Sequence, residues 1–225
     1  MTSYPVGTPT DPSVTLSEAM CPQSPEDIED MNAIPYREAV GSFMYLMMGT
    51  RPDLAYFLRF LREASQFLAN PGKAHWNAVK RGLKYLNGTR SLGITLGGIR
   101  NLEQYDSKHY LTAYSDAAYA NCPDTRQSVG GFITYMCGSP ISWQSRKHHT
   151  VVLSTTEAEY IALCHCMQEV IFLKLLLVEL KHESPHAITL FEDNQSCVKL
   201  SYNPERHGRS KHIDIRYHFV QEKVE

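Results

Sequence analysis

The hydrophobic period of the chain changes near residue 109. Before that point apolar residues recur every three or four positions, as on one face of a helix. Pro35 starts one helix at its first position, with Tyr36, Val40, Phe43 and Met47 as its stripe. Pro52 starts a second, with Leu54, Leu58 and Leu61 inside it. A third is predicted from about Lys73 to Leu86, with Trp76, Val79, Leu83 and Leu86 on one face and Asn87-Gly88 as its stop. Residues 1–30 hold five prolines and no apolar period, and read as an extended arm. The Gly-rich stretch 87–108 reads as a linker or hairpin.

From residue 109 the period is two. HYLTAYSD and VGGFITYMC read as strands, Ser139-Pro140 marks a turn, and ISWQS with HTVVLS makes a third, bent strand. A long helix is then predicted over about Thr155–Leu180. Ser154 is its N-cap, Glu157 completes a capping box, and Tyr160, Cys164, Met167, Ile171 and Leu175 form its stripe. AITLFED is a further strand, NQSCVKLSY begins another helix, and HIDIRYHFVQEKVE a last one. Three meandering strands followed by a helical crossover to a parallel strand predict an α/β mixed sheet with flanking helices, preceded by a small helical region.

Composition changes this picture little. Apolar residues make up 43% of the 225, ordinary for a globular chain. The six cysteines, at 21, 122, 137, 164, 166 and 197, have no metal-type pairing or framework spacing, so free thiols in a reducing compartment are expected. The N-terminus has no basic start or apolar core of a signal peptide. Val170–Leu180 is short and broken by Lys174, so a core helix is expected and no membrane partner. The net charge of −2 is uneven. Residues 1–30 carry six acids and no Lys or Arg, leaving a body with 22 basic and 18 acidic residues that can approach phosphates.

Three acids occupy special places. Asp116 ends the first strand, Glu159 lies in the first turns of the long helix, and Asp193 ends the fourth strand. Parallel pairing of strands one and four puts both aspartates at one sheet edge, where the helix can lower Glu159 onto them. Clustered carboxylates repel unless a cation neutralises them. Hard oxygen ligands on an open site suit Mg²⁺, and two such ions can activate a water and stabilise the leaving oxygen of a phosphodiester. Each acid also has a plainer reading as a turn or cap residue. Glu157 and Glu159 differ by about 200° around a helix, so both cannot face the site. Capping explains Glu157. Spacing alone reaches no further than an α/β domain with a candidate metal site.

The segments YREAVGSFMYLMMGTRPDLAY, NPGKAHWNAVKRGLKYLNGT, YSDAAYA, ISWQSRKHHTVVLSTTEAEYIAL, EDNQSCVKL and RSKHIDIRYHFVQEKVE resemble, in this order, the end of copia-type retrotransposon polyproteins. The resemblance covers roughly residues 30–225. It implies a ribonuclease H-like fold, and metal-dependent endonucleolytic hydrolysis of RNA in RNA–DNA hybrids. It carries over Asp116 from YSDAAYA, Glu159 from STTEAEY and Asp193 from EDNQS as catalytic and metal-binding carboxylates for two Mg²⁺ ions, with Mn²⁺ as a substitute. Residues 31–108 are expected to be the helical connection region that follows a reverse-transcriptase domain. That domain is itself an expected partner, since no Tyr-x-Asp-Asp occurs in this chain. Residues 109–225 are expected to be a ribonuclease H-like domain lacking its last strand and helix, because Glu225 falls where the family's fifth strand begins. The alternative is a catalytically weak or inactive remnant that binds nucleic acid. Ala118 and Asn121 depart from the family pattern without touching the three ligands.

Asn194 and Gln195 are candidate contacts to the hybrid's minor groove or 2′-hydroxyls, with a helix cap as the plainer role of Asn194. Arg209 and Lys211 crowd a basic loop with Arg206, His207 and His212 and are candidate substrate contacts. Lys80, Arg81 and Lys84 either track phosphates or form a solvated helix face. Trp143 is expected in the core, and Asp214 near a helix start rather than as a fourth ligand. The expected location is intracellular, in cytoplasmic particles or the nucleus.

Overall fold

The structure is a computed structural model, which describes residues 4–62, 68–97, 110–182, 186–202, 216 and 218–224, without the side chain of residue 62. The described residues fall into two compact units, one within Met1–Ile94 together with Pro123–Thr125, the other within Thr95–Cys122 and Arg126–Glu225.

The first unit is helical. Its described helices are α1 (Pro25–Asn32), α2 (Tyr36–Gly49), α3 (Ala55–Arg62) and α4 (Lys73–Gly88), with a short 3₁₀ turn at Pro52–Leu54 leading into α3. The predicted stripe of α2 is buried at Tyr36, Val40 and Phe43, and packs on Leu54, Phe57, Leu58 and Leu61. Pro35 stands one position outside α2, as its N-cap. The predicted face of α4 holds at Val79, with Trp76 and Leu86 packed against the core, and fails at Leu83. His75, Val79, Gly82 and Tyr85 are buried, while Leu83 is exposed. Gly82 decides this, because a Cβ there would lie 2.3 Å from the Phe57 ring and 2.8 Å from Phe43. The bare backbone admits those two rings, which meet edge to face at 5.0 Å. Arg51 is buried just before the 3₁₀ turn, bonded to Asp53 at 2.7 Å and to the Thr89 hydroxyl at 2.8 Å, and the Tyr85 hydroxyl donates to Asp53 at 2.8 Å. This network ties the end of α4 to the turn before α3.

The extended-arm reading of residues 1–30 needs correction. Ser24 caps α1 by accepting from the Asp27 N–H, and Pro25 sits at the first helical position, so the proline that looks disruptive is a helix start. Leu16 is buried in the helical core, with Val6 and Cys21 packed beside it. Arg81 pairs with Asp11 at 3.2 Å and is thus engaged within this unit, whereas Lys80 and Lys84 are exposed. Leu16→Ala is therefore expected to destabilise the chain by about 2–3 kcal/mol, the cost of emptying a buried leucine site. Thermal denaturation checks this; an unchanged midpoint would return these residues to the status of a free arm.

The second unit is a four-stranded open mixed sheet in the order β3-β2-β1-β4, built from β1 (Leu111–Ala118), β2 (Val129–Met136), β3 (Ser139–Lys147) and β4 (Thr189–Phe191). The meander is antiparallel, and β4 pairs parallel to β1 with Thr112 opposite Thr189 and Tyr114 opposite Phe191, as the sequence predicts. The β2–β3 turn falls at Cys137-Gly138, not at Ser139-Pro140. Both turn residues have positive φ (49° and 75°), the geometry that suits a tight hairpin. Pro140 lies inside β3, tolerated because β3 is at the edge of this sheet. HTVVLS adds no strand. It crosses to the next helix with Val152 buried on Ala158 and Ile161, and with Leu153 exposed.

That helix, α5 (Thr155–Glu179), crosses over β1 and β2. Eleven of its residues are buried, all between Glu157 and Val170. Its length and composition alone would also suit a membrane crossing, but Ala113, Cys166 and Val170 form a core cluster between helix and sheet. Gly130 allows this approach, since a Cβ there would lie 3.0 Å from that of Ala162 and 2.7 Å from the buried His148 ring. Leu175 is exposed, so the predicted stripe is buried only as far as Met167. Helix α6 (Gln195–Tyr202) and the helical residues 218–221 complete the unit, with Cys197 and Val220 buried on Tyr160, Leu163, Cys164 and Met167. The start of the predicted last helix lies outside the described residues, and so does Asp214. Trp143, expected in the core, is half-buried on β3.

Candidate metal centre

Each of the three acids is placed by a separate element. Asp116 sits near the end of β1, opposite Gly131 of β2, with its side chain exposed. Asp193 is exposed two residues beyond the end of β4, and the parallel pairing brings it to the same end of the sheet. Glu159 is in the second turn of α5. Ser154 fixes the start of that helix by accepting from the Glu157 N–H at 3.2 Å. The Glu157 carboxylate turns back to accept from the Leu153 N–H at 2.9 Å, which leaves Glu159 for the site. One carboxylate oxygen from each of Asp116, Glu159 and Asp193 lies within 4.8 Å of the others.

The electrostatics of this trio are unfavourable on its own. Glu159 is only 7% exposed, and its Oε2 is buried without a hydrogen-bond partner. Burial, then the charges of Glu192, Asp116 and Asp193, push its carboxyl up to about 8, against a weaker pull from the Ala117 N–H. A buried acceptor with no donor, facing two exposed carboxylates, is the donor set a hard cation completes. The three residues fit a divalent metal on chemical grounds: all three offer oxygen, and two of them face solvent.

Glu192 was not singled out by sequence. It is half-buried beside the trio, accepting from the Ser115 hydroxyl at 2.7 Å and from the Asn194 N–H at 3.2 Å. Burial raises its carboxyl and these two donors oppose the rise. The signal for it was the EDN run itself, in which alternation gives neighbouring acids different surroundings. Asn194 caps α6, its Oδ1 accepting from the N–H groups of Ser196 and Cys197 at 3.0 Å each, so its side-chain oxygen is not directed to a substrate. Gln195 is exposed at the start of α6. Arg209 and Lys211 lie outside the described residues. Beside the acids, Tyr114 of β1 stacks on Phe191 of β4 at 4.7 Å, both partly exposed.

An open mixed sheet of this order, with a long helix packed on it and acids from two parallel strand ends and that helix, is consistent with a ribonuclease H-like fold. The comparisons give the lineage. The chain is 43% identical over 222 residues to the retrovirus-related Pol polyprotein from transposon TNT 1-94 of Nicotiana tabacum, an alignment spanning 98% of this chain and 16% of that protein. It is 39% identical over 227 residues to the Pol polyprotein from transposon RE2 of Arabidopsis thaliana, across 100% of this chain and 14% of that protein. A 143-residue alignment at 41% identity covers 64% of this chain and 94% of the secreted RxLR effector protein 161 of Plasmopara viticola. The chain belongs to the retrovirus-related Pol polyproteins of copia-type transposons. It spans about one seventh of the length of the polyproteins it matches. No protein-family model matches it. No solved structure matches it either.

Proposed function

We propose that the sheet unit is the ribonuclease H region of such a polyprotein, hydrolysing the RNA strand of RNA–DNA hybrids at Asp116, Glu159 and Asp193. The observation that carries this reading is the convergence of the three carboxylates, with the buried Glu159 oxygen lacking any donor. Bound divalent metal, Mg²⁺ by the hardness of the ligands, would supply an activated water and charge stabilisation at the leaving oxygen. The protein's own part is positional. β1 and β4 hold two aspartates at one sheet end, α5 sets a third carboxylate among them, and the solvent-facing aspartates leave room for a phosphodiester. Gln195, exposed at the start of α6, is a proposed contact to the sugar edge of a hybrid, and Arg209 and Lys211 are further proposed contacts. The helical unit is proposed as the connection from a reverse-transcriptase domain, which makes other parts of the polyprotein its natural partners.

Cleavage of a labelled RNA–DNA hybrid tests the reading, with single-stranded RNA and duplex DNA as controls. Hybrid-selective cleavage that needs Mg²⁺ or Mn²⁺ and is lost in Asp116→Asn is expected. Metal-independent cleavage, or none by this chain within its polyprotein, would overturn it.

A further inference from the structure

The residues immediately before the two aspartates are bonded to each other. Ser115 precedes Asp116, Glu192 precedes Asp193, and the Ser115 hydroxyl donates to Glu192 Oε2 at 2.7 Å. The other oxygen of the same carboxylate accepts from the Asn194 N–H at 3.2 Å, and Asn194 is the cap of α6. One side chain therefore ties three things together: β1, the end of β4 and the start of α6. Regular pairing of these strands is short. It runs only from Thr112–Thr189 to Tyr114–Phe191, and stops before either aspartate is reached. Beyond it, this side-chain bond links the two strand ends. Ser115 is buried, so the bond is shielded from water that would otherwise compete with it.

We propose that Glu192 is a positioning residue, which together with Ser115 sets the separation of Asp116 and Asp193 and so the affinity of the site for its cation. The idea rests on the metal-site reading above. Glu192 is not one of the three acids whose carboxylate oxygens lie within 4.8 Å of one another, and each of its own oxygens already accepts from a protein donor. Partners of this kind commonly alter metal affinity by about 10–100-fold when removed. Ser115→Ala is the cleaner probe of the two. It deletes the tie without changing charge, whereas Glu192→Gln also removes a negative charge close to the cluster.

The experiment is a double-mutant cycle read by calorimetric titration of Mn²⁺ into the full chain, with apo melting temperatures and hybrid-cleavage kcat and KM measured alongside. Ser115→Ala is expected to weaken Mn²⁺ binding roughly tenfold, and Ser115→Thr, which keeps the hydroxyl, to recover most of it. In the Glu192→Gln background, Ser115→Ala should cost much less, since the two act through one bond. In cleavage assays at saturating hybrid, the loss should fall on kcat at low metal and shrink as metal is raised. Independent, additive losses, with Glu192→Gln far worse than Ser115→Ala, would show Glu192 to be a direct ligand and overturn the proposal. Equal falls in apo melting temperature without loss of Mn²⁺ affinity would reduce the bond to a structural one and also overturn it. Asp116→Asn separates the two levels. If it leaves Mn²⁺ binding intact, the metal site itself is wrong. If it abolishes binding while Ser115→Ala is neutral, only the positioning role fails.

Discussion

Asp116→Asn is expected to lower hybrid cleavage on the order of 10³-fold while leaving the melting temperature of the metal-free chain within a degree or two. The substitution is nearly isosteric at an exposed strand position, where changes seldom exceed about 0.5 kcal/mol. Its chemical effect is large because it removes a full negative charge from a cluster whose three oxygens lie within 4.8 Å. A metal ion's stabilisation of charge in phosphodiester hydrolysis amounts to several kcal/mol, and about 4 kcal/mol corresponds to a thousandfold in rate. On the proposed reading the loss should persist at saturating hybrid, because affinity for nucleic acid generally rests on contacts to the sugar–phosphate backbone rather than on a single carboxylate. Steady-state kinetics on wild type and variant decide it. Unchanged kcat in Asp116→Asn would remove the carboxylate trio from the mechanism.

The second large effect concerns stability. Glu159→Gln is expected to stabilise the metal-free chain by about 3 kcal/mol at neutral pH. The carboxyl titrates at about 8 in the fold, against 4.5 for the unperturbed group. The folded state thus holds a proton that the unfolded chain has already released. The stability contributed by the protonated acid is fully present below about pH 4.5 and is lost as pH rises towards 8. Gln has no such dependence, so the gap between variant and wild type should widen over that window and level off above it. Divalent cation should reverse the order, raising the wild-type melting temperature and leaving Glu159→Gln almost unmoved. His75 and His148 act with the opposite sign. Burial lowers both to about 4, so stability is lost as pH falls from about 6.5 through that value. The metal-free wild type is therefore expected to be most stable in mildly acidic solution, between the two effects. Melting curves across pH, with and without Mg²⁺, test this. A metal-free Glu159→Gln less stable than wild type at neutral pH would contradict it.

How far the sequence is legible depends on what kind of information each feature needs. The start of α5 could be read because Ser154 and Glu157 interact over three residues of one chain. The parallel pairing of β1 and β4 followed from connection rules, and with it the meeting of Asp116 and Asp193. The face of α4 was legible at Trp76, Val79 and Leu86, but the burial of Gly82 in place of Leu83 could not be read, because it depends on Phe43 and Phe57 of two other helices entering the space left by Gly82. The burial of Leu16 could not be read, because its partners lie far along the chain. Glu192 was hidden beside Asp193: which of two adjacent acids faces a buried serine depends on pleat and register, not on composition. The Asn194 cap was foreseen as one of two roles, and the local geometry of α6 selects it.

Helix α5 is buried from Glu157 to Val170, while Phe172, Leu175, Leu176 and Val178 beyond it are exposed. Amide hydrogen exchange should therefore divide this single helix into two regimes. Its C-terminal turns should exchange through local fraying, and its first four turns only through opening of the whole sheet unit. Glu159 lies in the slow half. Its place among the aspartates is thus insulated from motion at the helix end, and anything that docks on or melts the last turns would leave the carboxylates where they are.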